Sequence, residues 1–400
     1  MEPAQTTISP STELVRGEVY FFSRAKLPPV LEIKFDRSHL NDVTQRVPFA
    51  QANHGRIHGE TLWKAEPLIP AQQEWQFRIE LTHGTYAAPD KSGSFDYYST
   101  SGCKIWLQNG QVYNYQPAAA HSMARVVKIP HFTGSLSKRA LYVYLPRGYD
   151  QHTFKKYPLL YMHDGQNCFE GFVGDSYSGS WRADEVATKL IAQGQMEECI
   201  IVGVSNGGHE RIAEYLPPYA EYHPFSNEEE DQLSPIRGRA DRTYAYYANE
   251  VAPFLKQYYR VLDGRENTAV CGSSMGGLFS SYIAWEHSEF AYSYGAMSPS
   301  FWITRTDPLN LNSPMAIVER FRNRSPRPLR LWLDTGTLDG QTYGDDGKHE
   351  TAYARDILQE NGYVEGDDFR YYLDEGAVHH ESAWAARLDK VFKFLFPLRA

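Results

Sequence analysis

The pattern of apolar and polar positions changes once along the chain, near residue 116. Before that point the two kinds of residue alternate, most clearly over residues 30–35 and 75–81, and a period of two is typical of half-buried β-strands. Residues 105–115 predict a hairpin, because the Asn-Gly pair at their centre readily adopts the positive φ of a tight turn. Since no helical period of useful length occurs here, we predict a small all-β sandwich over residues 1–116.

Beyond residue 122, strands alternate with helices. Residues 157–162 and 199–204 are continuous apolar runs, as expected for strands that are covered on both faces. Residues 182–193 have apolar positions at helical spacing and are followed by a glycine, which favours a helix end. Repeated βα units predict an α/β domain with a mostly parallel sheet over residues 123–400, after a linker at residues 117–122.

The helix predicted over residues 244–260 contains a proline. Thr243 precedes its first turn, where a threonine hydroxyl can accept a hydrogen bond from an unpaired backbone N–H, so it is the predicted N-cap. Pro253 lacks the N–H of an ordinary helical residue, so we expect a kink there.

Composition and charge exclude several classes of function. The chain has 400 residues, 42% hydrophobic and 22% charged, with a formal net charge of -9. This is ordinary globular composition, and without a basic run nucleic acid is not an expected partner. The four cysteines lack metal-ligand spacing, and we predict neither a metal nor an organic cofactor.

The sequence contains no membrane signal. No apolar run approaches the roughly 18 residues of a membrane-spanning helix, so no membrane partner is expected. The N-terminus is polar and lacks the apolar segment of a signal peptide. The expected location is therefore cytoplasmic, or secreted if a signal peptide has been removed.

Residues 268–277 carry the strongest chemical signal. An apolar run ends in the pattern Gly-x-Ser-x-Gly with Ser274 at its centre, and a helix is predicted directly after it. In a nucleophile elbow the serine lies on a sharp strand-to-helix turn, and the helix N-terminus favours developing negative charge. Ser274, rather than the adjacent Ser273, is therefore the candidate nucleophile.

A serine nucleophile needs a general base and an acid that orients the base. His379 and His380 both follow the last predicted strand, and the residues alone do not choose between them. Asp334 ends the preceding strand, whereas Asp339 lies in the loop that follows it and projects farther past the strand end. We therefore predict Asp339 as the acid and a hydrogen-bonding role in the loop for Asp334.

An oxyanion hole needs two N–H donors. Met275, which follows the nucleophile, supplies one, and Gln166, in the loop after residues 157–162, supplies the other. Further polar residues of that loop and aromatic residues near predicted strand ends are candidates for substrate binding: Asp164, Asn167, Trp181, Tyr215 and Trp302.

These motifs resemble the putative-esterase family of α/β-hydrolases, which includes esterase D, feruloyl and acetylxylan esterases, and enterochelin-type siderophore esterases. The resemblance extends over residues 123–398. It rests on the segments 161–167, 202–206, 250–254, 272–278, 298–300, 336–339 and 376–384, and on Arg211, Glu214 and Tyr215. It implies an α/β-hydrolase fold and a serine esterase that needs no cofactor.

The resemblance also implies which histidine is the base. The family's pattern near the C-terminus is similar to Gly-x-x-His-Asn-Glu-x-x-Trp, which places the base at His379 and puts His380 where the family commonly has Asn. The family's Gly-Thr-x-Asp/Glu pattern for the acid matches Asp339.

The expected function is hydrolysis of a small carboxylic ester through Ser274, His379 and Asp339 by way of an acyl-enzyme. Acylated sugars, phenolic esters and similar small molecules are the expected substrates. One alternative is an acyltransferase of the same fold, in which an alcohol replaces water. Another is a glycan-binding protein whose hydrolase domain is inactive, and a homo-oligomer is compatible with each of these.

The N-terminal module loosely resembles immunoglobulin-like or starch-binding modules, which makes glycan a candidate partner. Trp63, Trp75 and Trp106 are the candidate sugar-stacking residues. Trp75 is in register with Phe77 and Ile79 along its strand, which favours a core position for it. Trp63, next to a lysine, is the better candidate for an exposed face.

Overall fold

The chain folds into two compact units, Met1–Ser122 with Gly148–Lys155 and Arg399–Ala400, and Met123–Arg147 with Lys156–Leu398. The predicted linker, residues 117–122, lies outside the residues that the structure describes. This computed structural model describes residues 13–23, 25–34, 45–57, 60–71, 73–82, 85–87, 97–108, 110–114, 116, 123–153, 155–224, 234–308, 310–323, 327–338 and 346–398.

The first unit is built from β-strands. Its strands are β1 (Leu14–Arg16), β2 (Glu18–Ser23), β3 (Val30–Lys34), β4 (Gln45–Pro48), β5 (Ala50–Ile57), β6 (Glu60–Ala65), β7 (Leu68–Pro70), β8 (Trp75–Thr82), β9 (Thr85–Tyr86), β10 (Tyr98–Thr100), β11 (Lys104–Gln108) and β12 (Gln111–Tyr113). One sheet has the order β10-β8-β3-β4 with β9 beside β8, another has the order β12-β11-β2-β6-β5, and β1 pairs with β7. The predicted hairpin of residues 105–115 is the antiparallel pair of β11 and β12.

The two larger sheets share one buried core. Val19 and Phe21 of β2 belong to the same apolar cluster as Leu31 and Ile33 of β3. Because β2 and β3 lie in different sheets, these sheets face each other across the core, as in the predicted sandwich.

The tryptophans of this unit do not form an exposed row. Trp75 is 1% exposed, which confirms its predicted core position. Trp63, the better candidate for an exposed face, is 5% exposed and therefore also lies in the core. Its register partner on β2 is Phe21, whose side chain is in the core, so both point to the same inner face. Trp106 is half-buried and its ring stacks on Tyr20, with ring centroids 5.0 Å apart.

The second unit contains an eight-stranded sheet of order β13-β14-β16-β15-β19-β20-β21-β22, plus a small ribbon of β17 and β18. β14 is antiparallel to both of its neighbours, and the six strands from β16 to β22 in this order are parallel. The bounds are β13 (Arg125–Phe132), β14 (Arg139–Leu145), β15 (Leu159–His163), β16 (Ile200–Val204), β17 (Glu221–Tyr222), β18 (Ile236–Arg237), β19 (Thr268–Ser273), β20 (Ser293–Met297), β21 (Arg330–Gly336) and β22 (Phe369–Asp374).

Helices pack against this sheet and join its strands. Residues of the first and last helices, such as Ala187 and Leu388, share a core cluster with Leu160 and Met162 of β15. None of the helices in the described part of the chain is both long and apolar enough to cross a membrane. The helices are α1 (Ala183–Ala192), α2 (Arg211–Tyr215), α3 (Ala240–Tyr246), α4 (Ala252–Tyr258), α5 (Met275–Glu286), α6 (Ala316–Arg322), α7 (Lys348–Glu360) and α8 (Glu381–Leu395).

The helical region predicted over residues 244–260 differs from the prediction in two ways. It begins at Ala240, so Thr243 lies inside α3 and its hydroxyl donates to the carbonyl of Glu214 at 2.7 Å instead of capping the helix. A π-turn over Tyr247–Val251 separates α3 from α4, and Pro253 lies in the first turn of α4. The Ala252 N–H still donates to the carbonyl of Tyr247 in the π-turn, so the irregular hydrogen-bond spacing falls where Pro253 has no N–H to donate.

The register of the parallel strands brings several polar loops to one edge of the sheet. Met297 of β20 pairs with both Ser273 of β19 and Asp334 of β21. Gly336 of β21 pairs in turn with Asp374 of β22. The carboxyl ends of these strands therefore lie side by side, which is where open α/β sheets bind ligands.

Candidate active site

Ser274 lies on the sharp turn between β19 and α5. Its φ of 57° and ψ of -123° place it in a region that side-chain-bearing residues rarely adopt. The turn is held from both sides: the Ser274 N–H donates to the carbonyl of Met297 at 2.9 Å, and its carbonyl accepts from Ser300 N at 3.1 Å. This is the geometry of a nucleophile elbow.

Gly272 has a steric reason to be glycine. A Cβ atom at this position would lie 2.6 Å from the His163 ring and 2.7 Å from the backbone of Gly276. A larger residue would therefore force β19 and α5 apart and displace the serine between them.

His379 bridges the serine and a buried carboxylate. Its Nε2 is 2.9 Å from Ser274 Oγ, and its Nδ1 hydrogen-bonds Asp346 Oδ1. Because the carboxylate accepts a hydrogen from Nδ1, the neutral ring has its Nε2 free to accept the hydrogen of the Ser274 hydroxyl. The three side chains thus have the connectivity of a serine-hydrolase triad.

Asp346 remains anionic although its side chain is fully buried. Burial alone would raise its pKa, but hydrogen bonds from His379, Ser298 and the N–H of Gly336 outweigh burial, and the pKa lies below its ordinary value. Ser298 Oγ and Gly336 N both donate to Oδ2, which leaves Oδ1 for His379.

The position of the acid corrects the sequence prediction. Asp339 lies outside the described residues, and the carboxylate that contacts His379 is Asp346, ten residues after Gly336. Since Nδ1 carries one hydrogen and Asp346 accepts it, Asp339 is not needed to orient the ring. Asp346 immediately precedes Gly347, whose φ is 80°, and helix α7. An Asp-Gly pair before a helix is the only sequence signal for it, and it lies far from the strand end.

The loop predicted to form the oxyanion hole follows β15. Asp164 has a left-handed φ of 55°, and a short 3-10 turn follows over Gly165–Asn167. Gly165 packs directly on the adjacent strand β16, since a Cβ there would lie 2.4 Å from the carbonyl carbon of Gly203. Gln166 lines the same cavity as Ser274, and Met275 is the first residue of α5.

Asp164 is held in place by Asn206, in the loop after β16, and by Arg211, the first residue of α2. Its carboxylate accepts two hydrogen bonds from Arg211, both of 2.8 Å, and one from Asn206 Nδ2 of 2.6 Å. Burial alone would raise the pKa of Asp164, but Arg211 and Asn206 hold it below its ordinary value. The ion pair fixes the start of the loop that contains Gln166.

A cavity of about 980 Å³ opens in front of Ser274 and His379. Of the predicted substrate-binding residues, Asp164 and Asn167 line it, together with Gln166. Further polar and charged residues on its wall are Lys128, His131, Asp175, Ser178, Ser205, Asn206, His209, Arg211 and Glu381.

The three aromatic candidates for substrate binding are absent from the described lining of this cavity. Trp181 and Tyr215 are each 1% exposed, so neither reaches a substrate. Trp181 packs against Trp384 with ring centroids 5.9 Å apart, and the Tyr215 hydroxyl accepts from the N–H of Asp164 at 3.2 Å. Trp302 is half-buried against Tyr222 and is absent from the described lining of the cavity.

Comparison with known proteins identifies the family. The family model described as "Putative esterase" matches residues 136–395, well over half of the chain. The chain belongs to the putative esterase family. It is therefore a carboxylic ester hydrolase, as expected from the sequence motifs.

Individual relatives of this esterase are distant. Uncharacterized protein YbbA of Bacillus subtilis (strain 168) is 21% identical over 272 residues, which cover 66% of this chain and 96% of that protein. Endo-1,4-beta-xylanase Y of Acetivibrio thermocellus is 24% identical over 213 residues, 53% of this chain but 18% of that protein. The match to a solved structure of a ferulic acid esterase has 22% identity and a TM-score of 0.50. It covers 69% of this chain and 99% of that chain. The last comparison confirms the α/β-hydrolase fold.

The two adjacent histidines of the esterase occupy different environments. His379 reaches Ser274, whereas His380 is the N-cap of α8, and its Nδ1 accepts from the N–H of Ser382 at 3.2 Å. An Asn side chain, which the family commonly has at this position, can accept the same hydrogen bond. His380 therefore performs the capping role in this chain.

A buried polar network that the sequence did not indicate lies behind Asp346. Arg387 is 1% exposed and donates to Asp334 Oδ1 at 2.9 Å and to Ser298 Oγ at 2.7 Å. Ser298 Oγ also accepts from Trp384 Nε1 at 3.0 Å and donates to Asp346. Asp334 accepts hydrogen bonds from Arg387, Trp332 and the N–H of Ser298. Through Ser298, this network fixes the direction of the Asp346 carboxylate.

Proposed function

We propose that Ser274 hydrolyses carboxylic esters as a covalent nucleophile, with His379 as general base and Asp346 as the acid that orients it. The observation that carries this proposal is the position of His379, whose Nε2 is 2.9 Å from Ser274 Oγ while its Nδ1 is hydrogen-bonded to Asp346. Nucleophile and base are within hydrogen-bond reach before a substrate arrives, as proton transfer requires.

In the first half-reaction, His379 Nε2 takes the Ser274 proton while Oγ bonds to the ester carbonyl carbon. His379 then gives that proton to the leaving alcohol as the carbon–oxygen bond of the ester breaks. In the second half-reaction, water attacks the acyl-enzyme, its proton passes to His379, and the proton returns to Ser274 Oγ as the free acid leaves. Asp346 stabilises the imidazolium at each stage and keeps Nδ1 protonated.

The oxyanion donors in this proposal are the N–H groups of Met275 and Gln166. Met275 is the first residue of α5 and Gln166 lies in the 3-10 turn after Asp164. The first N–H groups of a helix have no partner within it, and the helix dipole adds positive potential at that end. The same two positions therefore favour negative charge on the carbonyl oxygen.

The proposed substrates are small esters of sugars or phenols. The polar character of the cavity supports this class, because Gln166, Asn167, Ser178 and Asn206 can donate to or accept from hydroxyl groups. Lys128 forms an ion pair with Asp175, and Arg211 forms an ion pair with Asp164. Since each pair neutralises itself and the Glu381 carboxylate also lines the cavity, the cavity favours a hydroxyl-bearing alcohol over an anionic one.

The test is a panel of p-nitrophenyl acetate, methyl ferulate and acetylated xylose assayed with the wild type and Ser274→Ala. We expect turnover of at least one ester by the wild type and its loss, by at least about 10³-fold, in Ser274→Ala. Full retained turnover in the variant would refute the nucleophile. Adding a sugar alcohol as acceptor separates hydrolysis from acyl transfer, because transfer yields a new ester in place of free acid.

A further inference from the structure

Ser300 lies directly beside the proposed nucleophile. It follows β20 and is 4% exposed. Its N–H donates to the carbonyl of Ser274 at 3.1 Å, and its hydroxyl oxygen is 3.2 Å from Ser274 Oγ. The same residue therefore contacts both the backbone and the reacting atom of Ser274.

The direction of the hydrogen bond between the two hydroxyls follows from the rest of the site. Asp346 accepts the hydrogen on His379 Nδ1, so the neutral ring has no hydrogen on Nε2. Nε2 must then accept the hydrogen of Ser274, 2.9 Å away. Because a hydroxyl has one hydrogen, Ser274 has none left for Ser300, and Ser300 must be the donor in their contact.

We propose that Ser300 is a catalytic residue whose hydroxyl donates to Ser274 Oγ as that oxygen gains negative charge. This rests on the proposed role of Ser274 as nucleophile. In the first half-reaction the charge develops while Oγ loses its proton to His379. In the second it develops again while the bond from Oγ to the acyl carbon breaks and before His379 returns the proton. A hydrogen bond to an ionised oxygen is stronger than one to a neutral hydroxyl, so the contact strengthens in both transition states.

Ser300 keeps its own proton throughout, so the proton balance of the reaction is unchanged. Its donation to Oγ also polarises the Ser274 O–H bond toward His379, as hydrogen bonds in series do. Because the hydroxyl acts on Oγ and not on the bound ester, its removal should change kcat and leave KM almost unchanged.

The experiment compares Ser300→Ala with Ser281→Ala, each measured against the wild type. Ser281 is a buried serine of α5 whose hydroxyl donates to the carbonyl of Gly277 at 3.0 Å, so its removal costs one buried hydrogen bond of similar kind. Fluorophosphonate titration counts functional sites, and rates are expressed per labelled site, so that unfolded protein does not contribute.

We expect Ser300→Ala to lower kcat and kcat/KM together by about threefold to tenfold. The second-order rate of fluorophosphonate labelling should fall by a similar factor, since it measures the same attack by Oγ. Ser281→Ala should keep all three rates. Ser300→Thr, which retains a hydroxyl, should recover most of the loss.

Rates for Ser300→Ala equal to those of Ser281→Ala would overturn the role of Ser300, as would a Ser300→Thr variant that titrates fully but is as slow as Ser300→Ala. Neither result touches the nucleophile, which Ser274→Ala tests separately. If Ser274→Ala keeps full turnover, the proposed function fails and the inference on Ser300 fails with it.

Discussion

The hydrogen-bond partner at each nitrogen of His379 determines its tautomer, which makes Asp346 the most testable single residue of the site. Asp346→Asn replaces an acceptor at Nδ1 with a group that can donate, which favours the tautomer with hydrogen on Nε2 and removes the acceptor for the Ser274 proton. We expect kcat to fall by about 10³- to 10⁴-fold, as when the acid of a serine triad becomes an amide. The measurement is kcat per fluorophosphonate-titrated site with p-nitrophenyl acetate.

Asp339→Asn is the comparison variant, because Asp339 was the acid chosen from the sequence. It should keep most of the wild-type kcat, since Asp346 already accepts the hydrogen of His379 Nδ1. A large loss in Asp339→Asn together with a small loss in Asp346→Asn would reverse the assignment.

The lowered pKa of Asp346 has a consequence for stability. A carboxyl whose pKa is lower in the folded state contributes stability above its unfolded pKa, about 3.9. This stability is lost as the pH falls through the folded value. Urea unfolding of the wild type should therefore show a loss of stability below about pH 4 that is smaller in Asp346→Asn. If the free energy of unfolding fell equally with pH in both proteins, that result would argue against an ionised, hydrogen-bonded carboxylate at Asp346.

The structure brings the predicted nucleophile and base together, whereas the carboxylate beside His379 is one that the sequence did not indicate, and the reason is physical. Ser274 is constrained by the spacing of a turn that needs glycines, and His379 follows a strand end. Asp346 contacts His379 from a position ten residues after Gly336. The length of a loop does not indicate which of its residues will lie beside the base. The burial of a side chain is also hard to predict from the sequence, since Trp181 and Tyr215 lie near strand ends yet point into the core.

At the scale of structural elements, the turn proposed to supply the Gln166 oxyanion donor packs closely on β16. In Gly165→Ala, the new Cβ would lie 2.4 Å from the carbonyl carbon of Gly203, so the turn must shift. We expect Gln166 N–H to move with it and kcat to fall by about 10²-fold or more, as when an oxyanion donor is lost. KM should change little, and kcat and KM with p-nitrophenyl acetate are the measurement.

Gly171→Ala is a matched control for that substitution. Gly171 lies in the next 3-10 segment, Glu170–Asp175, and a Cβ there would meet no atom within 4 Å. It should retain wild-type kcat. If Gly165→Ala also retained it at an unchanged Tm, the turn would not be positioned by its contact with β16.

Most elements of the fold could be predicted because their periods are strong. The apolar runs of residues 157–162 and 199–204 and the helical spacing of residues 182–193 identify β15, β16 and α1 within a few residues. The misplaced N-cap at Thr243 shows the weakness of local signals: its hydroxyl bonds to Glu214, a tertiary partner that no local pattern reveals. The sequence likewise left the face of Trp63 open, because its register against Phe21 decides which face it occupies.

At the scale of the whole molecule, the change in hydrophobic period near residue 116 anticipated two units but not all of their members. Residues 148–155 belong to the first unit although they lie within the second unit's stretch of chain. Tyr113 stacks on His152 with centroids 4.6 Å apart, and Lys155 Nζ is 4.0 Å from the Tyr113 ring centroid. No period of apolar and polar residues marks residues 148–155, because tertiary contacts alone assign this segment to the first unit.

A chain that begins at residue 123 tests the importance of that segment. It would leave His152 and Lys155 without the Tyr113 ring, and the loss of these aromatic and cation–π contacts should lower Tm by roughly 5 °C. The residues that line the catalytic cavity all belong to the second unit. We therefore expect the rate of fluorophosphonate labelling of Ser274 at 25 °C to match that of the full chain. An unchanged Tm would mean that residues 148–155 are stable without residues 1–122. A loss of labelling with unchanged secondary structure would mean that the site depends on residues 1–122.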